Sequence, residues 1–303
     1  MKYRTLGKSG LKVSVVGVGT WQFGGEWGRN YVQSEVDAIL GRAQELGINL
    51  IDTAECYGDH LSESLIGESI QGNRDKWILA TKFGHQFHNP FERTDAFRAE
   101  DIVKQLDLSL RALKTDYIDL YQFHSGPDAA FDQDALWTTL DKQVQAGKVL
   151  HLGISIGSNE NIHQTSRAAS VNASAIQVVY NRLDRKPERE VFPACEADNL
   201  GVLARVPLAS GLLSGKYKPG ASFAANDVRS RRDREQLEAQ MLEVEAIRRD
   251  EVPAGTDMAA WALAWCLKHP AVTSVIPGCK DVAQVEANAA AVALVEEGHP
   301  QDA

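Results

Sequence analysis

The chain has 303 residues, of which 44% are hydrophobic, with a net charge of −9 and a pI near 5.4. That is enough apolar material for a sizeable core. The acidic balance argues against nucleic acid or an anionic membrane surface as partner, because both demand a basic face. No apolar run approaches the ~20 residues of a membrane span, and "MKYRTLGKSG" lacks the apolar centre of a signal peptide, so a cytoplasmic protein is expected.

In chain order, "YRTLGKSGLKVS" reads as a hairpin that plugs the floor of the fold. Short apolar runs then follow at 13–19, 48–52, 77–83, 117–123, 149–155, 175–180, 201–207 and 273–278, and these read as strands. Helical stretches fall between them at 34–46, 61–71, 100–113, 133–146, 159–169, 188–199, 256–268 and 281–292. In the third, Ile102, Leu106, Leu110 and Leu113 share one face, as an amphipathic helix requires. No linker or low-complexity segment interrupts the series, so one domain over 1–303 is expected. Eight strands alternating with helices point to a (β/α)8 TIM barrel with an N-terminal β-hairpin. The segment from Lys216 to Arg249 is a long insertion after strand 7, of the size a lid would have.

Two nucleotide motifs fail on spacing. After the first strand, Gly17 and Gly19 fit a dinucleotide fingerprint, but Gln22 stands where its third glycine belongs. "SGLLSGKY" is one residue too short for a phosphate loop, and Tyr217 replaces the required Ser or Thr. Cys56, Cys195, Cys266 and Cys279 form no C-x-x-C pair, and His124 has no H-x-H companion, so no metal is assigned and a metal-dependent hydrolase is the least favoured reading. Cys56 reads as packing.

A barrel carries its site at the C-terminal strand ends. Polar residues there are Thr20, Asp52, Lys82, His124, Ser155, Gln177 with Asn181, Arg205 and Lys280. Asp52 and Lys82 alone read as an ion pair closing the barrel top. Tyr57 changes that reading, because a phenol with an ordinary pKa of about 10 becomes a better proton donor beside an ammonium. At about 4 Å and an effective dielectric near 20 the attraction is worth roughly 4 kcal/mol before desolvation is subtracted.

The series "GVGTW", "NLIDTAECYG", "SESLIGES", "ATKFG", "DLYQFH", "LGIS", "QVVYN", "GLLSGKY" and "VIPG" resembles the aldo-keto reductase superfamily along the whole chain, most closely its bacterial general-stress-type branch. The resemblance implies a catalytic tetrad of Asp52, Tyr57, Lys82 and His124, in which Tyr57 protonates a carbonyl oxygen while hydride arrives from a nicotinamide. It also implies cofactor contacts at Thr20, Trp21, Asp52, Ser155, Gln177 and Tyr180, the last stacking on the nicotinamide. Ile156 stands where the family has an asparagine. Leu208, Ser210, Gly211, Leu213 and Ser214 match the pyrophosphate loop, and Gly278, Lys280, Gln284 and Asn288 the adenosine phosphate segment. Lys280 favours NADPH over NADH; Asp281, and Gln284 in place of a usual arginine, leave dual use open.

Trp21, Trp27, Phe83, His85 and residues 216–232 are expected to wall the substrate pocket, and "RSRRDR" (229–234) to be a solvated helix start. The expected function is reduction of a small-molecule aldehyde or ketone with NADPH. The alternative is a nicotinamide-binding regulatory subunit with little turnover, as in channel-associated relatives. No oligomeric partner is legible.

Overall fold

The computed structural model describes residues 1–303. A two-stranded antiparallel hairpin, β1 (Tyr3–Thr5) with β2 (Lys12–Ser14), precedes the barrel. The barrel strands are β3 (Val18–Gly19), β4 (Leu50–Asp52) and β5 (Ile78–Phe83). A second hairpin follows, β6 (His85–Asn89) with β7 (Glu92–Asp95), and the barrel then resumes. Its remaining strands are β8 (Ile118–His124), β9 (Val149–Ser155), β10 (Ala173–Val179), β11 (Gly201–Arg205) and β12 (Ser274–Val275). The eight are parallel and pair in the order β12-β11-β10-β9-β8-β5-β4-β3. Parallel bridges Val16↔Val275 and Gly19↔Gly278 join the two ends and close the barrel.

The apolar run 13–19 divides between two sheets. Residues 12–14 pair with β1, whereas Val16 turns to Val275 and Val18–Gly19 to Ile51–Asp52. One continuous run thus serves both the plug and the first barrel strand, and periodicity alone does not mark the change of partner.

Inside the barrel, side chains of alternate residues share a face. An apolar layer of Leu50, Ala80, Leu120, Ala175, Leu203 and Ile276 packs with Leu6 and Val13 of the plug. The hairpin closes the floor tightly: a Cβ on Gly7 would stand 2.1 Å from the backbone nitrogen of Gly201. Two residues further along each strand the same inward face carries Asp52, Lys82, Gln122, Gln177, Arg205 and Gly278. The polar mouth therefore follows from strand parity.

The insertion after β11 folds as short 3-10 turns, Ala209–Ser214 and Val228–Arg231, and the helix Arg234–Asp250. Leu237, Met241, Val244 and Ile247 of that helix pack with Leu212, Leu213 and Met258 in a separate apolar cluster beside the mouth. No helix of the chain is long and apolar enough to cross a membrane.

Candidate active site

At the top of the barrel Lys82 Nζ donates to Asp52 Oδ2 at 2.7 Å and to the Thr53 carbonyl at 2.6 Å. Asp52 Oδ1 accepts from Gln177 Nε2 at 2.7 Å and Gln122 Nε2 at 3.1 Å, and Gln177 also donates to Gln122 Oε1. The carboxylate is buried, yet every neighbour donates to it, which is what an ionised group in a barrel interior requires. Burial opposes the Lys82 charge, but Asp52 outweighs it and holds the ammonium above its ordinary range.

Tyr57 stands over this pair, with Lys82 Nζ 5.2 Å from the ring centroid. Its ring stacks on Trp21 at 6.0 Å and meets His124 edge-on at 6.3 Å. Gly24 makes the turn possible, because a Cβ there would come within 2.6 Å of the Tyr57 backbone carbon. Burial pushes the phenol up to about 12, against the pull of Lys82 and Arg205. The expected tuning by lysine is present, but desolvation exceeds it in the protein alone. His124 is brought down to about 3 by burial, with Glu55 opposing and Lys82 and His85 assisting, so the imidazole is neutral.

Tyr57 and His124 open into a cavity of about 440 Å³ at the C-terminal strand ends. Of the residues implicated by sequence, Thr20, Trp21, Asp52, Gln177, Leu208, Ser210, Gly211, Ser214, Gly278, Lys280, Gln284 and Asn288 also line it. Lys82 lies beneath, sealed by Asp52. Ser155 is buried just below the surface, its hydroxyl 3.5 Å from Gln177 Oε1, and Leu213 belongs to the apolar cluster of the insertion.

Tyr180 is elsewhere. Its ring packs against Phe192, Trp265 and His269, and its hydroxyl donates to Glu188 at 2.7 Å. It stands three positions after Gln177, an odd step along the strand, so parity turns it outward. The side chain that faces the mouth from the neighbouring strand is Arg205, whose Nη2 donates to the Ile156 carbonyl at 3.2 Å while its buried Nε has no partner. Phe83 likewise does not wall the pocket; it is buried against Tyr121, Phe97 and Phe123.

"RSRRDR" is only partly solvated. Arg231 and Arg234 are exposed, but Arg229 is buried, forked onto Asp227 (Nη2–Oδ2 2.6 Å, Nε–Oδ1 2.9 Å), with Nη1 donating to the Tyr217 hydroxyl at 2.9 Å. Segment 226–228 bonds back to the first loop through Gly28 N to the Asn226 carbonyl and Val228 N to the Glu26 carbonyl. The insertion therefore roofs the mouth. The missed hairpin β6–β7 supplies the opposite wall: Arg93 donates to both Glu26 oxygens at 2.6 Å, and the Trp21 indole donates to the same carboxylate.

Two features fit an anionic, elongated ligand. Lys280 is lowered by burial and by the Arg229 guanidinium, so two cations face the same space. The loop after β11 holds Val206, Ala209, Ser210 and Gly211 at positive φ (54°, 49°, 58° and 89°). For a β-branched valine that is a strained conformation, of the kind concentrated at ligand-binding turns. Asp281 does not compete for the lysine's ligand: its carboxylate caps the helix Val282–Ala290 by accepting from Gln284 N at 2.8 Å.

A closed parallel barrel with its polar layer and cavity at the C-terminal end defines a TIM-barrel protein of enzyme type. A family model described as "Aldo/keto reductase family" matches residues 15–300, and the chain belongs to that family of oxidoreductases, which typically bind nicotinamide cofactors. It is 32% identical to the aldo-keto reductase YhdN of Bacillus subtilis, over 95% of this chain and 87% of the relative. A probable voltage-gated potassium channel subunit beta of Arabidopsis thaliana is 29% identical, over 97% of this chain and 92% of that protein. Among solved structures, the aldo-keto reductase AKR11C1 from Bacillus halodurans, in its holo form, superposes with a TM-score of 0.80 at 32% identity, covering 96% of this chain and 91% of the other. The glycerol dehydrogenase AKR11B4 from Gluconobacter oxydans gives 0.80 at 29% identity, covering 96% and 90%.

Proposed function

We propose that the protein reduces aldehydes or ketones to alcohols with NADPH, Tyr57 giving the proton. The supporting observation is one cavity with Tyr57 and His124 at one end and Lys280, Gln284 and Asn288 at the other. The dinucleotide supplies a hydride when bound. Tyr57 holds its proton on the phenol oxygen, and neutral His124 orients the carbonyl oxygen through a ring N–H. Asp52 and the two glutamines fix Lys82, whose charge opposes the effect of burial on the phenol. Gln177, in the cavity wall, and Ser155 beside it are the candidates to hold the carboxamide. The left-handed loop 206–211 and Arg229 are suited to pyrophosphate, and Lys280 to a 2′-phosphate.

The test is NADPH oxidation with a panel of aldehydes and ketones, alongside cofactor binding followed by tryptophan fluorescence. Turnover supports the reductase reading. Tight binding with no turnover on any carbonyl would instead favour a cofactor-sensing subunit, the role suggested by the likeness to the Arabidopsis channel subunit; the complete set Asp52, Tyr57, Lys82 and His124 argues for turnover.

Lys280→Met is expected to weaken NADPH binding by about 10- to 100-fold, the worth of a charge-assisted hydrogen bond, while changing the NADH Kd little. Equal loss for both cofactors would remove Lys280 from the 2′-phosphate.

A further inference from the structure

The cavity wall carries five cations, Arg93, Arg205, Lys216, Arg229 and Lys280, against two acids, Asp52 and Asp257. Neither acid is free. Asp52 is bonded to Lys82 and two glutamines, and Asp257 caps the helix Met258–Leu267 by accepting from Ala260 N at 2.9 Å. Nothing in the wall therefore repels an anion. The phosphates of a dinucleotide account for Arg229 and Lys280, but they do not account for Arg93, which reaches the cavity from the hairpin β6–β7.

Arg93 is fixed beside the reacting groups. Glu26, fully buried, accepts from Arg93 Nη2 with both oxygens at 2.6 Å, from Phe91 N at 3.3 Å and from the indole of Trp21. The Trp21 ring in turn stacks on Tyr57, so a single indole links the phenol to the carboxylate that holds the guanidinium. The bonds to Glu26 use only Nη2. Nε is buried and has no partner, and a buried donor left unpaired is uncommon enough to call for a ligand or another explanation. A clamp that merely tied the hairpin to the first loop would need neither this spare donor nor a place in the cavity wall. Because Glu26 already holds the side chain, a ligand that meets it has little rotamer freedom left to freeze.

We infer that Arg93 is a specificity residue and that the substrates are carbonyl compounds bearing a carboxylate, whose charge Arg93 receives while the carbonyl lies at Tyr57 and His124; the inference rests on the reading of those two residues as the carbonyl site. A guanidinium suits the task, since its planar set of donors matches a carboxylate and stays charged at every relevant pH. One cation, partly compensated by Glu26, matches a single negative charge better than a phosphate dianion. The Glu26 charge is itself shared among the Trp21 and Phe91 N–H groups and Nη2, and the residue is absent from the cavity wall, so it does not face the incoming anion. Sequence could not single out Arg93, because the hairpin that carries it leaves no apolar pattern.

The probes are meta- and para-formylbenzoate, each paired with the matching formylbenzamide, which keeps the shape and removes the charge. NADPH oxidation gives kcat/KM for each pair. Calorimetric titration of the full-length protein with the corresponding hydroxymethylbenzoates and hydroxymethylbenzamides gives affinities without turnover. The acid is expected to be preferred by about 10- to 100-fold in at least one of the two geometries, through KM rather than kcat, and Arg93→Gln should erase the preference. Because the readout is a ratio, a general loosening of the roof lowers both members and leaves it unmoved. Should Arg93→Gln strand the buried Glu26 charge and fail to fold, the double variant with Glu26→Gln removes both charges together and carries the same expectation. Equal handling of acid and amide by the wild type, or a preference that survives the loss of Arg93, would overturn the assignment. Failure of the reductase reading looks different: no aldehyde of either kind is reduced, and the affinity ratio of the alcohols still decides the role of Arg93.

Discussion

Tyr57→Phe is expected to lower NADPH-dependent carbonyl reduction by about a hundredfold to ten-thousandfold while leaving the NADPH Kd within about twofold. The substitution removes one oxygen and keeps the ring stacked on Trp21 and against His124. Asp52 and Lys82 bond to each other, to backbone and to the two glutamines, so the layer below is undisturbed. A loss confined to turnover therefore reports the proton donor; retained reduction would remove Tyr57 from that role. The same variant isolates the phenol's titration. Because burial raises Tyr57 to about 12, the wild-type minus variant ultraviolet difference should show no phenolate below about pH 11, a full unit above free tyrosine. Lys82 and Arg205 are the cations limiting that rise; without them burial would make the phenol a poorer acid still.

The barrel was legible because parallel strands buried on both faces leave apolar runs that alternate with amphipathic helices. The hairpin β6–β7 was not. "HQFHN" and "ERTD" carry almost no apolar residues, since both strands are largely exposed and only His85, Phe87 and Arg93 are half-buried. The only local mark is Asn89-Pro90, an ordinary turn signal. Within the site, Asp52, Lys82 and Gln177 were found as polar residues at strand ends, and the apolar layer two residues earlier on each strand explains their direction. Carried further, the same parity test keeps Arg205, adds Gln122 and rejects Tyr180. Arg229 was hidden for another reason: in a run of four arginines sequence does not say which one turns inward, and the answer depends on Asp227, Tyr217 and Phe223 gathering around it.

Lys82→Met tests the layer on which the site rests. Methionine keeps most of the buried stem volume, but Asp52 loses its cation in the barrel interior, and breaking such a pair from one side costs about 3–5 kcal/mol. The midpoint of urea unfolding should fall accordingly with an unchanged m-value. Adding Asp52→Asn should recover part of the loss, because the stranded carboxylate is then gone, giving a favourable coupling in the double-mutant cycle. Reduction should remain low in the single and the double variant alike, since the charge beside Tyr57 is absent from both. The pair's contribution also has a defined pH window. With the folded-state pKa of Lys82 raised, the stabilisation is fully present below the unfolded value of about 10.4 and is lost as pH rises through the folded value. Between pH 6 and 9 the wild-type advantage over Lys82→Met should therefore be flat. A double variant no more stable than Lys82→Met would mean that the buried carboxylate is satisfied by Gln122 and Gln177 alone, leaving the lysine there for its effect on the tyrosine.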